Sequence, residues 1–134
     1  LKNNLSERCI CSRFAFYLQN LIAHSLEYNN YIVDVEYNRK SDEPKKVLGD
    51  SKHITVDLIV HRRGCNKHNL ICIEMKKSIN GRKIKGIDKD KDRLCIMTSR
   101  NSNFAYRIWF MIIAYINTKK LDIEDTFYLK NLSI

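Results

Sequence analysis

Two charged residues, Glu74 and Lys76, stand near the end of an apolar stretch of β-strand length, residues 69–77. Placing charge on a buried strand costs solvation energy, so these two positions require a chemical reason. Side chains alternate along a strand, and residues two apart share a face. Glu74 and Lys76 are therefore predicted to lie side by side, a carboxylate next to an ammonium group.

A second apolar stretch, residues 55–61, carries Asp57 and is separated from the first by a turn-like segment, residues 63–68. The two stretches predict a β-hairpin. Residues that face each other across such a hairpin have numbers with a constant sum, so a turn centred between residues 65 and 66 places Asp57 opposite Glu74. Their Cβ atoms would then be about 4.5–5.5 Å apart. A turn of odd length would instead move Asp57 to the other face.

Two carboxylates at that distance repel each other unless a positive charge lies between them. Oxygen ligands from carboxylates are what a hard divalent cation such as Mg²⁺ takes. Asp57 and Glu74 are therefore predicted to form a metal site with Lys76 beside it. The alternative is a basic scaffold in which the same three residues form only a buried charge triad.

Asp57 on one strand and the sequence Glu74-Met75-Lys76 on the next resemble the PD-(D/E)XK nuclease superfamily, with Val56 in place of the proline of the motif. The resemblance implies a restriction endonuclease-like core, an α/β domain whose mixed central β-sheet is flanked by helices in the order αβββαβ. It also implies a nuclease that uses Mg²⁺, or Mn²⁺ in its place, held by Asp57, Glu74 and the backbone carbonyl of Met75. Lys76 would orient the attacking water or stabilise developing charge.

Among subtypes, the chain is most similar to small bacterial and phage members of the superfamily, through Glu7-Arg8, Glu36 and the strand of Asp57. The order of its acidic residues also resembles archaeal-type Holliday junction resolvases, which work as dimers. The glycine-rich, serine-bearing loop of those resolvases is absent from this sequence. A junction resolvase, a homodimer and a non-catalytic nucleic-acid-binding module of the same fold stay open as alternatives.

Glu7 lies near the start of the clearest predicted helix, residues 5–27, in which apolar residues recur at spacings of three and four. In the superfamily a glutamate of the first helix often joins the metal site, and Glu7 fits that position. Alternatively, Asn4 and Glu7 form a capping box that only tethers the helix start. Glu36, on a strand predicted over residues 31–39, is either a further site carboxylate or a solvent-exposed edge residue.

The rest of the chain supplies the remaining elements of the predicted domain. Periodicity and turn-forming residues predict a flexible loop over residues 39–46, a short amphipathic helix with its charges in solvent over 87–95, a buried strand over 104–116 and an edge strand over 126–130. Periodicity alone leaves a helix open as the alternative for the third of these segments.

Positive charge is spread along the whole chain. The 134 residues include 24 lysines and arginines against 15 aspartates and glutamates, a net charge of +9. Such a field favours a polyanion, so nucleic acid, and DNA first, is the predicted partner. Arg39 and Lys77 are candidates for contacts with phosphates. A basic surface that only faces solvent is the alternative.

Length and composition predict a single domain over residues 1–134. The longest apolar run, Ile108–Ile116, is shorter than the roughly 20 residues that cross a bilayer, so no membrane partner is expected. The five cysteines form no disulfide-framework pattern and suit reduced thiols. We therefore expect a cytoplasmic protein.

Overall fold

The chain forms a mixed β-sheet with one helix packed on each face. The computed structural model describes residues 6–36, 39–40, 43–44, 54–64, 66–100, 102, 104–116 and 123–129, with the backbone alone at 39–40, 43–44, 66 and 123–129. The helices and strands, in chain order, are α1 (Glu7–Ala23), β1 (Ile32–Val35), β2 (Arg39–Lys40), β3 (Glu43–Pro44), β4 (Leu58–His61), β5 (Asn69–Ile79), α2 (Ile87–Thr98), β6 (Ile108–Ile116) and β7 (Ile123–Leu129).

The main sheet has five strands in the order β1-β4-β5-β6-β7. β5 and β6 run parallel, and the other neighbouring strands run antiparallel. α2 connects the two parallel strands, as a crossover helix does. The prediction of an α/β domain with a mixed sheet flanked by helices is therefore confirmed at this coarse level, and the segments predicted as the last two strands form β6 and β7.

The hairpin formed by β4 and β5 has the predicted register. Leu58 lies opposite Ile73, and the same register continued by one residue places Asp57 opposite Glu74. The one irregularity in this pairing lies at the other end of β4, next to the turn. The relation between the two carboxylates is therefore set by the hairpin itself.

Each face of the sheet buries its own hydrophobic cluster. On one face, Leu58, Val60, Ile73 and Met75 pack with Cys11, Ala15 and Ile22 of α1. On the other, Ile59, Cys72, Trp109 and Met111 pack with Leu94 and Met97 of α2. This burial holds both helices against the sheet and so positions their charged residues. Neither helix is long and apolar enough to cross a membrane, and no other α-helix occurs in the part of the chain that the structure describes.

The start of α1 is capped by Ser6. Its hydroxyl accepts a hydrogen bond from the amide of Cys9 (3.1 Å), which satisfies one of the N–H groups left open at a helix start. Asn4 lies outside the described residues, and the capping-box interpretation is wrong because Ser6 is the N-cap residue. Glu7 is the first residue of the helix, where the helix dipole favours negative charge.

Two further predictions of local structure are wrong. Part of the segment 39–46, predicted as a loop, forms β2 and β3, which pair antiparallel through Arg39 and Pro44. The charges of the second helix do not all face solvent, because Asp90 is only 3% exposed. Asp90 is buried because cations on β5 and on α2 itself bind its carboxylate.

Candidate active site at the edge of β5

The site lies at the start of β4, where β5 extends beyond its pairing with β4. β4 pairs only with the first half of β5. From Glu74 onward, the backbone groups of β5 on that side need other partners. The Asp57 carboxylate accepts a hydrogen bond from the amide of Met75 (2.7 Å). The Glu7 carboxylate accepts one from the amide of Lys77 (3.0 Å).

The backbone carbonyl of Met75 points to the same edge, between these two carboxylates. The N–H and C=O groups of one strand residue point to the same side, and residues two apart repeat that direction. The amides of Met75 and Lys77 point to the edge of β5 where Asp57 and Glu7 lie. The carbonyl of Met75 therefore points to the same edge. The carboxylates of Asp57 and Glu7 therefore lie along the same edge of β5 as the Met75 carbonyl.

Asp57 and Glu7 also line a cleft of about 200 Å³ between α1, β1 and the start of β4, together with Arg8, Cys11, Val35 and Glu36. The amide of Glu36 donates to the Asp57 carbonyl (2.9 Å), and its carboxylate pairs with Arg8. The hydrogen bond from Arg8 lowers the pKa of Glu36. Glu36 therefore lies beside the site, with its carboxylate bound to a cation of the first helix.

Cys11 forms the inner wall of this cleft. Its Sγ donates to the Asp57 carbonyl at 3.5 Å. Burial, together with the negative charges of Asp57, Glu36 and Glu74, raises the pKa of the Cys11 thiol to about 12. The thiol therefore stays protonated at physiological pH, which excludes it as a nucleophile.

Glu74 lies opposite Asp57, on the face of the sheet that α2 covers, and is 2% exposed. Its Oε1 is 3.1 Å from Nε of Arg93 on α2. Burial and the charge of Asp57 raise the pKa of Glu74 to about 8, although the guanidinium of Arg93 acts in the opposite direction. A hydrogen bond to Asp57 and the charge of Asp90 raise the pKa further. Glu74 therefore holds its proton at neutral pH, although the guanidinium of Arg93 lies beside it.

Lys76 follows on the same face, and its Nζ is 2.8 Å from Oδ2 of the buried Asp90. Burial opposes the charged form of Lys76, but the hydrogen bond to Asp90 and the charges of Asp90, Glu7 and Glu74 outweigh it and raise the pKa. Lys76 is therefore a permanent cation at neutral pH. Its ammonium group is paired with Asp90, an arrangement that the sequence interpretation did not include.

Arg93 is the second residue that the sequence interpretation missed. Besides Glu74, its guanidinium pairs with Asp90 and donates to the carbonyl of Thr55 (3.3 Å). It thereby ties α2 to the strand of Glu74 and to the segment that leads into β4. The side chains of Glu74, Lys76, Asp90 and Arg93 form one network of charges beneath the helix, which we call the α2 charge network.

The two predicted phosphate contacts lie in different settings. Lys77 is half-buried, and its side chain belongs to the α1 face of β5 because it is two residues beyond Met75. Arg39 lies in β2, and its side chain is outside the described residues.

The residues present fit a hard divalent cation by their donor chemistry. Among the described residues, no group of three or more His, Cys, Asp or Glu side chains is placed to hold a metal ion. Magnesium sites, however, commonly use one or two carboxylates, with waters and substrate phosphates completing the coordination. Burial and, after it, the facing Asp57 carboxylate raise the pKa of Glu74 to about 8, and a cation between the two carboxylates would lower it.

The sequence matches no protein-family model, and neither curated proteins nor solved structures show a match to the chain. The fold and the site define an α/β protein with a carboxylate pair at the edge of a mixed sheet.

The Glu74→Gln variant is expected to reduce the pH dependence of stability. The folded-state pKa of Glu74, about 8, lies above the usual glutamate value, so the folded protein holds a proton that the unfolded chain has lost. The free energy of unfolding should therefore fall as pH rises from about 5 to 8, by up to about 1.4 kcal/mol per pH unit. Urea denaturation across this range, in EDTA, measures the slope.

Glu27→Gln is the matched control, because Glu27 is exposed and outside the site. It should retain the wild-type slope. If Glu74→Gln also retained that slope in full, the raised pKa of Glu74 would be refuted.

Proposed function

We propose that this protein is a metal-dependent nuclease of the PD-(D/E)XK type that hydrolyses phosphodiester bonds in DNA. The observation that carries the proposal is the facing pair Asp57 and Glu74, one of which has a pKa of about 8. Such a pair lowers stability unless a cation joins it. A bound Mg²⁺, or Mn²⁺ in its place, would explain why two carboxylates face each other here. A purely structural charge triad does not require Asp57 to lie opposite Glu74.

Asp57, Glu74 and the backbone carbonyl of Met75 are the residues that would hold the metal. A bound Mg²⁺ lowers the pKa of a water molecule and neutralises charge that builds on the scissile phosphate. Glu7, whose carboxylate accepts a hydrogen bond from the amide of Lys77 at the same edge, would bind the metal or a water molecule on it. The cleft lined by Glu7 and Asp57 gives solvent and substrate a way to this edge.

Lys76 acts as a fixed positive charge. Its raised pKa means that it does not take a proton from water at neutral pH. Its N–H groups instead orient the attacking water or stabilise the negative charge that develops on the phosphate. Asp90, which holds the ammonium at 2.8 Å, is a positioning residue for Lys76.

The charge of the chain supports DNA as the substrate. A net charge of +9 attracts the phosphate backbone without regard to sequence. Arg8 lines the cleft, Lys77 follows Lys76 on β5, and Arg39 lies on β2. We assign them contacts with phosphates.

A non-catalytic nucleic-acid-binding module is the second candidate. The observation that favours it is the ion pair of Lys76 with Asp90, which gives the lysine a structural partner. A binding module accounts for the basic surface, but it does not explain why Asp57 and Glu74 face each other. A junction resolvase would be a nuclease with a more specific substrate, and a homodimer would be one oligomeric state of the proposed nuclease.

Metal-linked stability tests the proposed site. Mg²⁺ at a free concentration 100-fold above its Kd should raise the free energy of unfolding by about 2.7 kcal/mol. In Asp57→Asn this gain should disappear, while the amide oxygen still accepts the hydrogen bond from Met75. In EDTA at pH 8 the variant should be at least as stable as the wild type, because the repulsion with Glu74 is gone.

Asp88→Asn on α2 is the matched control, since Asp88 is an exposed aspartate outside the α2 charge network. It should keep the full response to Mg²⁺. An equal response in Asp57→Asn and the wild type would refute the metal site.

A further inference from the structure

A larger groove lies on the α2 face of the sheet, next to the candidate active site. Its volume of about 680 Å³ falls within the roughly 300–1,000 Å³ typical of ligand sites. The floor is formed by alternate residues of β6, with Trp109 at one end and Tyr115 at the other. Three cations, Arg82, Lys83 and Lys91, lie along the groove, on the segment before α2 and on α2 itself.

The parallel pairing of β5 and β6 connects this groove to the site. Lys76 lies beside Ile113, and Ser78 lies beside Tyr115. Ile113, Ser78 and Tyr115 all line the groove. The groove therefore begins one strand away from Lys76, on the face of the sheet that carries the α2 charge network.

The lining has a definite chemical character. Its floor is apolar and aromatic, its cations are exposed, and no carboxylate lies among the described residues that line it. Phosphates match the cations, and the flat faces of unstacked bases match an aromatic and aliphatic floor. In a duplex the bases are stacked and paired inside the helix, so only unpaired nucleotides satisfy both parts of the groove at once.

We propose that this groove binds an unpaired single-stranded segment of DNA next to the active site. The phosphates lie along Arg82, Lys83 and Lys91, and one or more bases enter the groove beside the half-buried Tyr115, with the largely buried Trp109 (7% exposed) at the other end of its floor. The link to cleavage rests on the proposed nuclease function, but binding in the groove does not. The substrate of the site is then DNA with a single-stranded region, such as a frayed end or a flap, rather than an uninterrupted duplex.

Tryptophan fluorescence gives a direct test, because Trp109 is the single tryptophan of the chain. A single-stranded oligothymidine should quench it in EDTA, where no cleavage occurs, and a blunt duplex should not. Lys83→Ala/Lys91→Ala should weaken single-strand binding about tenfold. Loss of two phosphate contacts should also make the dependence of log K on log salt less steep by about 1.4. Affinity for the duplex should change less than twofold.

Lys67→Ala/Lys89→Ala is the matched control, since both lysines are exposed and outside the groove and the loss of charge is the same. It should leave single-strand affinity within about twofold. Equal losses in the two double variants, an equal loss for the duplex, or no quenching by the single strand would overturn the proposal. An Asp57→Asn protein that does not cleave DNA should still show the full quenching. The experiment therefore distinguishes an error in the proposed nuclease function from an error in the proposed single-strand binding.

Discussion

Replacing Arg93 with methionine is expected to lower the free energy of unfolding by about 3 kcal/mol at pH 8. Its guanidinium pairs with Glu74 and Asp90, which are 2% and 3% exposed. Its loss leaves the buried Glu74 without its cation and leaves Asp90 with Lys76 alone. The expected value is at the lower end of the range for broken buried pairs, because the Arg93 side chain is 38% exposed. Chemical denaturation measures it.

The loss should be smaller at pH 5, where Glu74 carries a proton and needs no cation. Arg100→Met is the control, because Arg100 is exposed, and its effect should stay within about 0.5 kcal/mol. Equal stability losses at pH 5 and pH 8 would contradict the assignment of Arg93 as the partner of an ionised Glu74.

The Lys76→Met variant is expected to lose at least about 100-fold in the rate of DNA cleavage, the usual effect of removing one group that stabilises transition-state charge. The aliphatic part of the side chain is kept, and Asp90 retains its pair with Arg93. Stabilisation by Mg²⁺ should therefore persist, since the carboxylates of the site are intact. Single-turnover cleavage of labelled DNA, beside a Mg²⁺ titration of stability, measures both quantities.

Lys77→Met separates catalysis from binding. Lys77 is the next residue along β5 but belongs to the opposite face, and we assign it a phosphate contact. This variant should require more DNA for half-maximal cleavage and keep the rate at saturating DNA. If Lys76→Met and Lys77→Met behaved alike in both quantities, Lys76 would have no special role in the reaction.

The carboxylate pair could be predicted because a hairpin turns sequence spacing into geometry. A turn centred between residues 65 and 66 fixes which residues of the two strands face each other, and the alternation of side chains fixes the face. Glu7 was a candidate because the resemblance implies a glutamate of the first helix at the site. Its hydrogen bond to the amide of Lys77 could not be predicted, because it depends on how far β5 extends beyond β4.

Asp90 and Arg93 were missed because the second helix carries many charges in sequence. The signal was nevertheless present: Ile87, Asp90, Leu94 and Met97 follow each other at spacings of three and four and form one face of α2. An aspartate in that apolar face requires a cation on the facing strand, and Lys76 is that cation. The spacing alone does not tell which strand the helix covers, so this network needed the structure.

The most direct test of the proposed nuclease is cleavage of DNA by the wild-type protein and by Asp57→Asn. Supercoiled plasmid, linear duplex and single-stranded DNA would each be incubated with Mg²⁺, with Mn²⁺ and with EDTA. We predict that the wild type cleaves at least one of the three only when a metal is present, and that Asp57→Asn cleaves none. Cleavage at equal rates by both proteins, or no cleavage by the wild type with either metal, would contradict the proposed function.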